Sequence, residues 1–127
     1  MKFNEKADFS RFGKSFQESL CQLVLQDRPF ADQISEVLDY SFFELKYLQT
    51  FVRKIFSYRN KYGVHPSSKI MMTILRSDLE NETEIVQKQI RDYFARIYEQ
   101  EIQDSDYIKD TSLEFCKKQK LKEAMLK

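Results

Sequence analysis

The chain has 127 residues, of which 21 are basic and 20 acidic, so its net charge is only +1. This length fits one domain with a core of its own, and the near-neutral total does not favour a protein that binds polyanions over its whole surface. Two glycines and two prolines are too few for the many turns of a β-sandwich or barrel, so the composition predicts an all-α fold.

A polar leader, residues 1–14, precedes the first predicted helix, residues 15–26. Apolar residues there recur at helical spacing and form one buried stripe, made of Phe16, Leu20, Leu23 and Val24. Asp27 and Pro29 then interrupt the chain, with Asp27 as a cap and Pro29 in the first turn of the next helix. That second, shorter helix carries Phe30, Ile34, Val37 and Leu38.

The third predicted helix, residues 41–62, has an apolar face wide enough for the centre of a bundle. Gly63 suits the left-handed conformation that ends many helices. Pro66 then forces an extended conformation on His65, and Ser67 or Ser68 caps the next helix.

A fourth helix bears Ile70, Met71, Ile74, Leu75 and Leu79. A polar connection with residues able to cap a helix, residues 81–84, leads to a fifth helix that bears Ile85, Ile90, Phe94, Ile97 and Tyr98. Asp104 to Asp106 separates this helix from a sixth. The sequence therefore predicts about six helices in one bundle, with residues 15–104 as the main body and residues 105–127 as the last helix.

The last helix changes its apolar face partway along. At 100° per residue, Ile108 and Phe115 lie within about 20° of each other, whereas Leu121 and Met125 point about 80 to 120° away from Phe115. The segment Lys117 to Lys127 also has five lysines and one glutamate, a local excess of +4. We expect the first half to pack on its own domain and the second half to contact another surface. A solvated tail is the alternative.

Three residues, Gly13, Lys14 and Ser15, resemble the end of a phosphate-binding P-loop. In that motif another glycine stands five positions before the Gly-Lys pair, but here Asp8 holds the position and would repel phosphates. No strand signal precedes the segment either. The sequence therefore predicts no nucleotide site here.

Other catalytic and metal sites are also not predicted. His65 is the sole histidine, so neither a histidine-based zinc site nor a Ser-His-Asp triad can be assembled. The acidic segment Glu80–Glu84 lacks the turn glycines of calcium sites and is interpreted as solvated helix ends. Between residues 51 and 59, aromatic and basic residues alternate, but Phe51 and Ile55 share a helical face that favours a core over a base-stacking platform. No cofactor is expected.

Two distant cysteines, Cys21 and Cys116, and the lack of a signal peptide favour a reducing, cytoplasmic environment. No apolar run reaches the length of a membrane span.

Several segments, taken in order, resemble the N-terminal domain of DnaB-like replicative DNA helicases, in particular the phage type. The likeness runs from about Phe16 to Leu126. Its parts are Leu25-Gln26-Asp27-Arg28-Pro29-Phe30, Val37-Leu38-Asp39 with Phe42-Phe43, Tyr58-Arg59-Asn60-Lys61-Tyr62-Gly63, His65-Pro66-Ser67 and Leu113-Glu114-Phe115-Cys116-Lys117-Lys118-Gln119-Lys120-Leu121.

The resemblance implies a non-catalytic domain that forms the collar of a hexameric helicase, as a dimer or a ring, and contacts primase or a helicase loader. The ATP-hydrolysing motor, and with it the contact with DNA, would lie downstream of this fragment. A helical hairpin, residues 67–103, would carry self-association, with the candidates Met71, Met72, Ile74, Leu75, Ile85, Ile90 and Phe94. The last helix would begin a linker that docks on a neighbouring subunit's motor domain through Leu121, Ala124, Met125 and Leu126.

Two alternatives stay open. A small helical module that binds single-stranded nucleic acid would use the basic end of the chain, namely Lys117, Lys118, Lys120 and Lys122. A stand-alone helicase regulator is the other.

Overall fold

The computed structural model describes residues 7–126 and forms six α-helices within them, with no strand in that range. Their bounds are α1 Gly13–Gln26, α2 Arg28–Ile34, α3 Lys46–Tyr62, α4 Ser68–Ser77, α5 Glu84–Ile97 and α6 Ser105–Met125. Two short 3-10 turns cover Ser10–Phe12 and Tyr40–Phe42. The all-α prediction is confirmed. Residues 1–6 of the predicted leader, and Lys127, lie outside the described residues.

Helix α1 is the centre of the bundle and packs against α2, α3 and α6. Because it has neighbours on three sides, six consecutive residues, 20–25, are buried rather than a single stripe. Helix α3 packs on α1 with one part of its surface and on α5 with another. The core therefore lies around α1 and α3, and the other helices enclose it.

Helices α4 and α5 form a hairpin that joins the bundle mainly through the contact of α5 with α3. Two ion pairs hold the α4–α5 connection onto α3: Arg53 Nη2 lies 2.9 Å from Glu82 Oε2, and Lys54 Nζ lies 3.2 Å from Asp78 Oδ2. The connection between α4 and α5 is therefore held on the bundle by ion pairs, in addition to the packing of α5 on α3.

The helix ends follow the predicted capping residues. Gly63 adopts a left-handed conformation with φ 73° after α3. Asp27, Ser67 and Thr83 accept hydrogen bonds from the third residue after them, at the starts of α2, α4 and α5 respectively. Local side-chain chemistry thus sets these four boundaries.

Polar side chains of α1 also set the end of α5. Gln22 Nε2 donates to the carbonyl oxygen of Gln100 at 2.6 Å and to that of Ile97 at 3.4 Å, and Gln26 Nε2 donates to Ile97 at 3.3 Å. The last carbonyls of a helix have no partner within it. The two glutamines supply hydrogen bonds to these carbonyl groups although they lie 71 or more positions away in the sequence.

Two predicted boundaries are wrong by several residues, and α4 ends at Ser77, so it does not include Leu79 as predicted. Helix α2 ends at Ile34 and does not reach Val37 and Leu38, and α3 begins at Lys46 rather than at Ser41. Asp39 accepts a hydrogen bond from the Ser41 N–H and starts a 3-10 turn, after which Phe43 is extended. The Glu44 N–H donates to Gln17 Oε1 on α1 at 2.9 Å, so this backbone is held by tertiary contacts that periodicity does not reveal.

The segment before α1 contributes to the core, whereas the sequence analysis predicted a polar leader there. Phe9 lies in the predicted leader but is 0% exposed. Its N–H donates to the Phe42 carbonyl at 2.8 Å, and its ring contacts those of Phe42, Phe43 and Phe115. Residues 9–12 therefore close one end of the core.

We expect Asp27→Ala to lower the free energy of unfolding by about 1 to 2 kcal/mol. The carboxylate caps α2 through the Phe30 N–H at 3.1 Å and contacts Lys109 Nζ of α6 at 2.5 Å. The hydrogen bond from Lys109 holds the pKa of Asp27 below its usual value. Urea unfolding measures the loss. Asp27→Asn is the control, since asparagine keeps the cap and loses only the charge; an alanine variant as stable as wild type would contradict the assignment.

Candidate functional site

Helix α6 has a buried half and an exposed half. Its buried residues are Ile108, Ser112, Leu113, Phe115 and Cys116. Beyond them, Leu121, Met125 and Leu126 are 61%, 76% and 87% exposed, and Ala124 is exposed too. This distribution agrees with the change of face in the sequence. What the exposed residues contact stays a prediction.

Phe115 anchors the buried half in a cluster of aromatic rings. Its ring centroid lies 4.9 Å from that of Phe9, 5.4 Å from Phe42 and 6.0 Å from Phe12. The Arg11 guanidinium lies 5.6 Å from the Phe115 ring centroid, a favourable cation–π distance. The helix is therefore held firmly up to residue 116 and projects beyond it.

Open grooves flank the projecting half. On one side, a cleft of about 350 Å³ has an apolar floor that includes Val37 and Phe56, and its rim includes Lys120 and Glu123. On the other, a groove of about 520 Å³ runs between α2 and α6 and includes Leu113 and Leu121. Both faces of the exposed half are thus accessible to another molecule.

The hairpin candidates for self-association do not form one surface. Met71, Leu75, Ile90 and Phe94 are 0 to 6% exposed, so they offer little surface to a partner, although Leu75 and Phe94 also line the open groove between α4 and α5. Their role in self-association stays a prediction. Ile85 is 72% exposed, and Met72 and Ile74 are half-buried. Met72 lines a groove between α4 and α5, whereas Ile74 lines a cleft beside α3. Met72 and Ile74 therefore line different grooves.

The α4–α5 groove contains residues that the sequence analysis missed. It has a volume of about 390 Å³ and is lined by Met72, Leu75, Arg76, Arg91, Phe94, Ala95 and Tyr98. Arg91 Nε donates to the Leu75 carbonyl at 3.3 Å and bridges the two helices. The spacing of Arg91, Ala95 and Tyr98 at i, i+4 and i+7 indicates one helical face, but nothing in the sequence distinguishes that face from a solvated one.

The four candidate lysines for nucleic acid are all exposed but do not share a face. At 100° per residue, Lys117, Lys118, Lys120 and Lys122 spread over about 200° around α6. Lys118 Nζ lies 3.7 Å from Glu114 Oε1, and Lys120 lines the cleft that also contains Glu36, Asp39 and Glu123. Carboxylates therefore offset part of the basic charge.

A polar network around Glu18 joins α1, α3 and α5. Arg96 donates to both carboxylate oxygens at 3.1 and 3.0 Å, and the Tyr47 hydroxyl donates to Oε2 at 2.5 Å. Tyr93 donates to the Glu18 carbonyl oxygen.

Burial alone raises the pKa of Glu18, but the hydrogen bonds from Arg96 and Tyr47 outweigh it and lower the pKa below its usual value. Burial and the bond to Glu18 raise the pKa of Tyr47. Helical periodicity does not predict this network. Its hydrogen bonds join three helices of the bundle, which is a structural role.

His65 is likewise part of a junction between elements. Its Nδ1 lies 2.8 Å from Arg59 Nη1 and its Nε2 lies 2.6 Å from the Leu25 carbonyl oxygen. Because arginine only donates, Nδ1 accepts and Nε2 carries the proton. Arg59 also contacts Asp32 at 2.6 Å. The ring therefore holds the α3–α4 loop against α1, and Arg59 links α3 to α2.

The cysteines are buried and reduced. Burial, with a smaller contribution from Asp39, raises the pKa of the Cys116 thiol to about 12, so this thiol is not an activated nucleophile. Gly13, Lys14 and Ser15 form the exposed start of α1. Between residues 7 and 126, no group of three or more His, Cys, Asp or Glu side chains is placed to hold a metal ion.

None of the described helices combines the length and the apolar composition that crossing a membrane requires. A scan against protein-family models and searches of curated proteins and solved structures find no match to this chain.

Proposed function

We propose that this chain is a non-catalytic assembly and docking domain of a hexameric replicative DNA helicase of the DnaB-like type. One observation carries the proposal: α6 is anchored by Phe115 and then projects with Leu121, Met125 and Leu126 exposed. Exposed apolar side chains in such a group are typical of interaction surfaces. The helicase identity comes from the sequence resemblance alone.

In this proposal the bundle is the rigid body and the end of α6 is the contact. The last apolar side chains would lie on the motor domain of a neighbouring subunit, with the flanking grooves receiving its side chains. The hairpin would contribute self-association through its accessible residues, chiefly Met72 and Ile85. Primase or a loader would bind elsewhere on the collar.

The coding sequence beyond Lys127 tests the parentage. A P-loop encoded downstream supports a helicase, since the motor needs one. Termination at Lys127 contradicts the fragment hypothesis and favours a separate regulator.

We expect Leu121→Asp with Met125→Asp, made in the chain that includes the motor, to abolish ring assembly. A carboxylate in a desolvated contact is strongly unfavourable, whereas both positions are exposed in the isolated domain, whose stability should change by no more than about 0.5 kcal/mol. Light scattering measures assembly and thermal unfolding measures stability. The matched control is Gln89→Asp with Gln103→Asp, two exposed positions away from the α6 end. Normal rings from the Leu121 and Met125 variant would overturn the docking role.

A single-stranded nucleic-acid module is the second candidate, because all four lysines at the end of α6 are exposed. It requires binding that weakens steeply with salt and weakens further when the lysines become glutamine. Fluorescence anisotropy with a labelled oligonucleotide tests this; no binding at low salt eliminates the candidate.

A further inference from the structure

The outward face of α6 carries an ordered sequence of charges. We name as the α6 stripe the eight exposed residues Asp106, Tyr107, Asp110, Glu114, Lys117, Lys118, Leu121 and Met125. At 100° per residue they lie within a sector of about 120°, whereas the buried Ile108, Ser112 and Phe115 point about 140 to 200° away from Asp110. The centre of the stripe therefore lies opposite the face that packs on α1, and the buried Leu113, about 60° from Asp110, borders one edge of the stripe.

Charge along the α6 stripe changes sign once. Three carboxylates occupy its first half and two lysines follow, with apolar or aromatic side chains at both ends: Tyr107 is 64% exposed, and Met125 is 76% exposed. Glu114 and Lys118 form an exposed i,i+4 pair at 3.7 Å. Asp106, Asp110 and Lys117 make no ion pair with any other residue of the described range.

We propose that the α6 stripe is the contact surface for a second copy of this chain, whose α6 runs antiparallel to the first. A two-fold axis level with Cys116 sets Glu114 opposite Lys118 of the second copy and Tyr107 opposite Met125 of the second copy. Each carboxylate half then faces a lysine half. In a parallel pair, like charges would face each other along the whole contact, which is destabilising.

The positions of the other helices allow this pairing. Helix α1 packs on the face of α6 opposite the stripe. Gln33 of α2 lines a groove along one edge of the stripe, beside Asp110 and Glu114. In the pair, each α1 therefore lies on the outer side and each α2 flanks the contact. The two apolar ends add aromatic–thioether contacts between Tyr107 and Met125. A contact between single helices is at the small end of protein interfaces, so the dimer is weak and depends on concentration.

This inference does not depend on the helicase parentage. Leu121 and Met125 belong to both surfaces, so pairing of two α6 helices and docking on a motor domain exclude each other. The charged residues of the stripe distinguish the two uses, since the docking proposal requires only the apolar residues.

Complementary charge swaps in the 127-residue chain test the pairing. Asp110→Lys with Glu114→Lys leaves Asp106 as the one carboxylate of an otherwise basic stripe, and Lys117→Glu with Lys118→Glu makes every charge on the stripe acidic. Each variant alone should dimerise at least about tenfold more weakly than wild type, and an equimolar mixture should recover dimers. Sedimentation across a concentration series measures this. Arg76→Glu with Arg91→Glu in the α4–α5 groove is the matched control and should leave the dimer unchanged.

A disulfide test fixes the orientation. Tyr107 and Met125 are about 27 Å apart along one α6, so Tyr107→Cys with Met125→Cys can form these disulfides only between copies. We expect a covalent dimer on mild oxidation, with each single variant giving much less. Monomers at all concentrations overturn the proposal. The proposal is also overturned if dimer affinity is unchanged by the charge swaps in the stripe but is lowered by the Arg76 and Arg91 variant. That result would favour association through the hairpin.

Discussion

Phe115→Ala is expected to lower the free energy of unfolding by about 3 to 5 kcal/mol, the cost of removing a buried aromatic side chain. Phe115 is 5% exposed and contacts three other rings. The truncation leaves a cavity between three segments that are far apart in sequence. A loss of this size is a large fraction of the stability of a domain.

The variant should also change the position of α6. The aromatic cluster and the Asp27–Lys109 ion pair, at 2.5 Å, are among the contacts that hold this helix on the bundle, so amide exchange should rise first in residues 110–120. Chemical denaturation measures the loss of stability and hydrogen exchange locates it. Leu121→Ala is the control on the same helix: Leu121 is 61% exposed, and its truncation should cost no more than about 0.5 kcal/mol. Equal effects of the two changes would mean that Phe115 does not anchor α6.

Glu18→Gln is expected to cost about 2 kcal/mol at neutral pH, the range for hydrogen bonds to a charged group. The Glu18 side chain is 14% exposed, and it receives hydrogen bonds from Arg96 and Tyr47. Glutamine retains the shape but loses the charge that Arg96 pairs with. Because Arg96 is 53% exposed, it can return to water, which limits the loss.

The same substitution predicts a dependence on pH. The pKa of Glu18 is lower in the folded protein than its ordinary value of 4.5. A group with a depressed folded pKa contributes stability that is fully present above its unfolded pKa and is lost as the pH falls through its folded pKa. The difference in stability between wild type and Glu18→Gln should therefore be constant above about pH 5.5 and shrink in acid.

Urea unfolding at several pH values measures this difference. Glu99→Gln is the control, since Glu99 is exposed just after α5, the helix that carries Arg96, and it should change stability little at any pH. A constant difference for Glu18→Gln down to strongly acidic pH would show that the network does not depend on the carboxylate.

Local chemistry explains which parts of the fold the sequence predicts. Gly63, Ser67 and Thr83 act on backbone groups within a few residues of themselves, so their effect can be read from short segments. The change of face in α6 was predictable for the same reason, because helical periodicity alone separates Phe115 from Leu121 and Met125.

The parts that were not predicted depend on distant partners. The start of α3 is determined by Gln17 of α1, which receives the Glu44 N–H. Phe9 looks like part of a polar leader until Phe42 and Phe115 are brought to it. On the hairpin, periodicity identifies Met71 and Ile90 as apolar positions but cannot say whether they face inward or outward.

The contact of Phe9 with Phe115 has a consequence for synthesis of the chain. The first aromatic residue of the described bundle packs against one that the ribosome adds 106 positions later. Contacts between such distant positions close a long loop and form late in folding. Until residue 115 has left the ribosome, Phe9 and Phe42 lack this partner, so the nascent chain exposes apolar rings that a chaperone can bind.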